Sequence, residues 1–149
     1  MLKNLDKKDL RKILRIKEPF LMIDAVINVS AGKFGLGIKK VEDDDWFYQC
    51  HFTDEPVMPG TLQTECMLQT IVSVIYSDEN IKIRNCLVVK NTVNLLSMIC
   101  GPGIIEVKAE ITSINKGGIQ AKAKLFFENK IVSDGSFRFI IPEYLKINH

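Results

Sequence analysis

Histidine is almost missing from this chain: of its 149 residues only His51 and His149 are imidazoles. Its four cysteines, Cys50, Cys66, Cys86 and Cys100, contain no Cys-x-x-Cys pair. So few ligands at such spacing exclude a zinc finger or a histidine-built metal cage, and no metal site is expected. An excess of one charge is also absent. Twenty Lys and Arg against 18 Asp and Glu leave +2, too little to draw in nucleic acid. No apolar run approaches the roughly 20 residues of a membrane-spanning helix. The stretch from Met1 to Asp9 is charged and lacks the apolar centre of a signal peptide. These absences lead us to expect a cytoplasmic protein without a membrane partner, whose cysteines stay thiols. Cys50 and Cys66 are expected to be buried as small hydrophobes. Linkers, repeats and low-complexity tracts are missing too, so residues 1–149 are expected to form a single domain.

What is present fits a folded domain: 46% hydrophobic and 26% charged residues. Leu5, Leu10, Ile13 and Leu14 among charges predict a short amphipathic helix over 5–16, stopped by Pro19. Val and Ile enrichment predicts strands over 20–29 and 33–41 around the Ala31-Gly32 turn. The acidic run Glu42 to Asp45 lacks the spaced ligands of a calcium loop and is read as a solvated turn. Residues 60–76 form the one apolar stretch too long for a strand. They predict a buried helix opening at Pro59-Gly60 and ending at Asp78-Glu79-Asn80. The segments 83–90 and 92–99 are apolar and precede Gly101-Pro102-Gly103. Then Ile105, Val107, Ala109 and Ile111 alternate with polar residues, as do Ile119, Ala121, Ala123, Leu125 and Phe127. Turn residues 115–118 separate the two runs, and a last strand is predicted over 130–141. Without crossover helices in the last sixty residues, a parallel array is excluded. The expectation is an α+β fold, an antiparallel sheet wrapped around one long central helix.

The stretch from Trp46 to Gln69 is where chemistry could sit. His51 lies in an aromatic, loop-like setting just before the predicted helix, and Glu65 lies on that helix's second turn. Thr61, Glu65, Gln69 and Ser73 recur every four residues as one polar stripe. By spacing alone, this is either the wetted face of a surface helix or a line of groups facing a cavity.

The string itself resembles the 3-hydroxyacyl-acyl-carrier-protein dehydratases of the hot-dog superfamily. Their signature reads His-Phe-x-x-x-Pro-Val-Met-Pro-Gly-x-Leu-x-x-(Glu or Asp)-x-x-x-Gln, and its fixed positions are all met from His51 to Gln69. Pro19 to Asp24 likewise looks like a strand of that family, and the resemblance covers most of the chain. Trp46-Phe47 and Cys50-His51-Phe52 resemble the 3-hydroxydecanoyl branch, which also isomerises the double bond and uses Asp where this chain has Glu65. Glu65 and the Pro19–Asp24 segment resemble the general dehydratases, which usually carry Gly where this chain has Cys50.

The resemblance implies a single hot-dog domain that removes water from a 3-hydroxyacyl thioester to give the trans-2-enoyl thioester, in fatty-acid or related polyketide or polyunsaturated-acid synthesis. It implies His51 as the base and Glu65 as the group that orients or protonates the departing hydroxyl. Gly60 would donate its N–H to the thioester carbonyl, and Gln69 would position Glu65. The acyl chain would pass Phe52, Met58 and Leu62, each of which could equally be core. No metal or organic cofactor is implied. The partners implied are an acyl carrier protein and a second copy of the chain, since the histidine and acid of one site come from different protomers; the assembly is at least a homodimer, with a hexamer as trimer of dimers the larger form. Seven Lys or Arg against two Asp in residues 1–17 form a basic arm that either docks an acidic carrier protein or is simply solvated. The alternatives are a hot-dog acyl thioesterase and a non-catalytic acyl-binding subunit, and isomerase activity is left open.

Overall fold

The chain runs β1 (Lys3–Leu5), α1 (Lys7–Leu14), β2 (Ala25–Ser30), β3 (Phe34–Val41), α2 (Trp46–Cys50), α3 (Gly60–Tyr76), β4 (Leu87–Leu95), β5 (Gly103–Asn115), β6 (Gly118–Phe127), β7 (Lys130–Ile140) and α4 (Pro142–Leu145) in a computed structural model that describes residues 1–145. His149 lies outside the described residues. The strands form one antiparallel sheet in the order β1-β2-β3-β5-β6-β7-β4. α3 packs against β2, β3, β5, β6 and β7. The expected α+β architecture, a sheet around one long helix, is the one observed.

Period-two alternation places Ile105, Val107, Ala109, Ile119, Ala121, Ala123 and Leu125 on the face toward α3, where all are buried. From the helix side come Cys66, Met67, Ile71, Val74 and Ile75, each fully buried. Every large apolar side chain so removed from water contributes about 1.5–3 kcal/mol. Close approach needs a gap in the sheet. Gly37 of β3 provides it, because a Cβ there would run into the Thr70 side chain of α3. The β5–β6 hairpin turns through Lys116 and Gly117, both at positive φ, between the paired residues Asn115 and Gly118. Such a two-residue loop matches the twist of its strands.

Elsewhere the structure departs from the sequence reading. α1 ends at Arg15, in the left-handed region at φ 59°, four residues before Pro19. Its start is fixed by a capping box between Asp6 and Asp9. Residues 20–24 are not a strand: Gln69 takes the Phe20 carbonyl and the Met22 N–H, Leu21 N–H goes back to Lys17, and only Asp24 N–H reaches β3, at the Ile38 carbonyl. Of the apolar segments 83–90 and 92–99 only Leu87–Leu95 is strand, a single β4 that runs through residue 91 with a register shift between Val88 and Lys90 and pairs only with β7. β1 and α2 were not anticipated. Among the described residues no helix is long and apolar enough to cross a membrane.

Candidate active site

His51 is delivered by α2, which is anchored from below. Phe47 and Tyr48 are buried with their rings 4.7 Å apart, and the Tyr48 hydroxyl donates to the Gly101 carbonyl at 2.8 Å. His51 follows as the C-terminal cap of α2 in extended conformation. Its carbonyl accepts from Val57 N–H at 2.8 Å, and its Nδ1 lies 2.9 Å from the Val57 carbonyl oxygen. A carbonyl can only accept, so in the neutral ring Nδ1 carries the hydrogen and Nε2 keeps its lone pair. The ring is half-buried, and Phe52 stacks on it at 3.9 Å between centroids across a cis peptide bond. The local fold thus holds one imidazole by one nitrogen and leaves the other for use as a base.

Met58 N–H donates to the Ile99 carbonyl, which ties this loop to the strand side before α3 begins. No side chain caps α3, and the Pro59 carbonyl accepts from Leu62 and Gln63 N–H. Among the described residues nothing accepts from the Gly60 N–H, which stands at the positive end of the helix dipole. A Cβ at residue 60 would meet Leu95 Cδ1 at 2.5 Å. Glycine there lets Leu95 lie close over the helix start; a larger residue would push that exposed side chain aside.

Glu65 faces a cavity of about 330 Å³ whose walls include Leu68, Val72, Tyr76, Cys86 and Phe139. Burial raises the carboxyl above its usual range, and the amide of Gln69, donating to Glu65 Oε1 at 2.9 Å, offsets part of that. Gln69 is itself fully used. Its Nε2 also donates to the Phe20 carbonyl at 2.8 Å, and its Oε1 accepts from Met22 N–H at 2.7 Å. It therefore holds Glu65 with one hand and the 20–24 segment with both ends of its amide.

The polar stripe is neither of the simple alternatives throughout. Thr61 is exposed, Glu65 half-buried, Gln69 and Ser73 buried, so the line descends from the surface into the interior. Ser73 Oγ donates to the Gln69 carbonyl at 2.7 Å within the helix. Glu65 and Gln69 are thus brought together, while His51 is not among the residues lining the Glu65 cavity of the same chain. Neither are Phe52, Met58 and Leu62: Phe52 is exposed on His51, Met58 belongs to the core, and Leu62 is half-buried at the start of α3. The cavity walls that sequence reasoning missed carried a signal, because Glu65, Leu68, Gln69, Val72 and Tyr76 follow the three- and four-residue steps of one helix face. Cys66 is buried as expected, its thiol pushed up to about 12 by burial, but Cys50 is exposed. In the basic arm Lys7 pairs with Asp24 at 3.1 Å and Arg11 with Glu18 at 2.9 Å, and Arg15 donates to the Arg84 carbonyl.

With this geometry in place, residues 15–135 match the model of the FabA-like domain. The chain belongs to the FabA-like family. Its relatives include the 3-hydroxyacyl-acyl-carrier-protein dehydratase FabZ of Caldanaerobacter subterraneus, 32% identical over 142 residues and covering 93% of this chain and 99% of that one. FabZ of Caldicellulosiruptor saccharolyticus is 33% identical over 138 residues, covering 91% and 98%. Among solved structures, a chain of the dehydratase heterocomplex ApeI:P from Xenorhabdus doucetiae superimposes with a TM-score of 0.73 at 14% identity, over 94% of this chain and 97% of that one. At that identity the FabA-like family shares its fold with the ApeI:P chain, and the fold is what the superposition establishes.

Proposed function

We propose that this chain is a 3-hydroxyacyl-acyl-carrier-protein dehydratase, a hydro-lyase that converts a 3-hydroxyacyl thioester into the trans-2-enoyl thioester and water. The observation that carries the reading is Glu65: a carboxyl made a weaker acid by burial at a largely apolar cavity, and clamped by Gln69. A neutral carboxyl can give a proton to a hydroxyl, which a carboxylate cannot. The names of the FabZ relatives, which span this chain almost end to end, support the same chemistry.

The geometry of these residues supports the following steps. Nε2 of His51 takes a proton from C2 of the acyl chain. The electron pair left behind moves into the thioester carbonyl, whose oxygen gains charge and is held by the Gly60 N–H at the head of α3. As the C2–C3 double bond forms, the C3 hydroxyl leaves with the Glu65 proton as water. The products are the enoyl thioester, water, an imidazolium and a carboxylate, and transfer of one proton from His51 to Glu65 resets the site.

His51 stands outside the Glu65 cavity of its own chain, which supports a site completed by a second copy. β4 supports it as well. It is a terminal strand paired on one side only, with Leu87, Val88, Val89 and Leu95 exposed, an edge that a partner strand would cover. The working unit is therefore at least a homodimer, the acyl donor is carried by an acidic carrier protein, and the compartment is the cytoplasm.

Purified protein given a 3-hydroxyacyl thioester is expected to develop the ultraviolet absorbance of an enoyl thioester. His51→Ala and Glu65→Ala should each lower that rate roughly a hundred- to ten-thousand-fold, the usual contribution of a positioned acid or base. Release of free thiol in place of enoyl product, or full activity in both variants, would overturn the reading.

A further inference from the structure

Two cavities meet at one end of α3, and they differ in character. The Glu65 cavity is walled by Leu68, Val72, Cys86, Phe139 and other apolar groups. Burial pushes the Cys86 thiol up to about 12, so it lines this wall as a neutral, weakly polar group. The second cavity, about 800 Å³, is lined by charges of both signs, among them Lys3, Asp78, Glu79, Lys82 and Arg84. Only Arg15, Tyr76 and Asn85 line both.

These three are held in place. Tyr76 is 6% exposed, and its hydroxyl oxygen accepts from Cys86 N–H at 2.8 Å. Arg15 donates through Nη2 to the Arg84 carbonyl at 2.5 Å. Asn85 donates through Nδ2 to Glu143 Oε1 at 2.6 Å. The segment from Arg84 to Cys86 is thereby bonded to α1, α3 and α4 at once.

Direction decides what this wall meets. If the thioester carbonyl sits on Gly60 and C3 near Glu65, the acyl chain continues along α3 toward Leu68, Val72 and Tyr76. Eleven residues of helix from Glu65 to Tyr76 make that path about 16 Å long. At its end an alkyl terminus would have to pass from an apolar channel into a polar, charged one, losing its burial.

We infer that Tyr76, held by the Cys86 N–H between the two cavities, is the end stop of the acyl channel and sets the longest 3-hydroxyacyl chain the enzyme accepts. This rests on the dehydratase reading and adds to it the residue that selects substrate length. Shortening Tyr76 joins the two cavities and lets a longer chain reach the charged side. Enlarging it draws the stop toward Glu65.

The test is a profile of kcat/KM against acyl length, from four to sixteen carbons, for wild type, Tyr76→Leu and Tyr76→Trp, with folding of each checked by circular dichroism. Wild type is expected to show a cut-off. Tyr76→Leu should raise the ratio of the rate just beyond that cut-off to the rate just below it by about tenfold or more, the scale of one or two methylenes gained in an apolar pocket. Tyr76→Trp should move the cut-off to shorter chains. Should the Leu variant not fold, a shortened cut-off in the Trp variant still supports the stop, and an unmoved one overturns it. An unchanged profile in folded, active variants overturns the stop alone. A wild type that dehydrates no member of the series takes down the dehydratase reading and the stop with it.

Discussion

Glu65 is under two opposing demands. Burial disfavours its charged form, while the proposed reaction needs a proton on it. The cost can be measured. Between its ordinary pKa of 4.5 and its raised folded value, the folded state binds more protons at this site than the unfolded chain does. Stability therefore falls as pH rises through that window, and the whole cost stands above it. Glu65→Gln removes the titration and keeps an oxygen for Gln69 to bond. The variant should be catalytically dead yet melt higher than wild type at pH 7, with the two converging well below pH 4.5. A gain seen only in acid, or a loss at pH 7, would mean that burial does not disfavour the Glu65 carboxylate. At this scale the sequence was informative where a residue's role is local. The motif singles out His51, Gly60 and Glu65, and the free Nε2 side, the open N–H and the half-buried carboxyl are compatible with the parts proposed for them. Gln69 was legible as a partner of Glu65 because four residues of helix bring the two together. Its grip on Phe20 and Met22 was not, since those residues lie 49 and 47 positions away and only packing joins them.

Elements were legible where their pattern is internally complete. α3 runs over the residues its apolar run predicts, and β5 and β6 follow their alternation. The failures share a cause. Residues 20–24 look like a strand because they are apolar, but the Phe20 carbonyl and the Met22 N–H are spent on the Gln69 side chain. β4 looks like two segments because its side chains alternate poorly, and they do so because most of them are exposed in the single chain. A pattern written by a partner that has not yet arrived cannot be read as burial. The contact of α3 with β3 is a different case, set by the absence of a side chain at Gly37. Gly37→Ala should cost about 1–3 kcal/mol, the usual toll of overpacking, because the new Cβ collides with Thr70. In a Thr70→Ala background the same substitution should cost much less, and a denaturation double-mutant cycle reads the difference. Equal costs in both backgrounds would show that the helix seats itself on the sheet by some other contact.

The molecule as a whole has an imidazole and a carboxyl suited to one reaction, but the imidazole lies outside the cavity that holds the carboxyl. The proposed isologous dimer would resolve this, because a two-fold axis that brought one His51 to a partner's Glu65 would do the same for the other pair. The arrangement leads to a test in which two dead proteins make a live one. A dimer with His51→Ala in one chain and Glu65→Gln in the other has one site carrying both lesions and one site carrying none. Equal amounts of the two variants, unfolded and refolded together or co-expressed, give mixed dimers about half the time, so activity should return to about a quarter of the wild-type value. Sites built within one chain would each keep a lesion, and the mixture would stay as inactive as its components. The same mixture made from chains that also carry Val89→Lys, a charge on the exposed edge of β4, should regain nothing if that edge is the seam between the two copies. Recovery to a quarter despite the lysine would leave the shared site standing and move the seam to another surface.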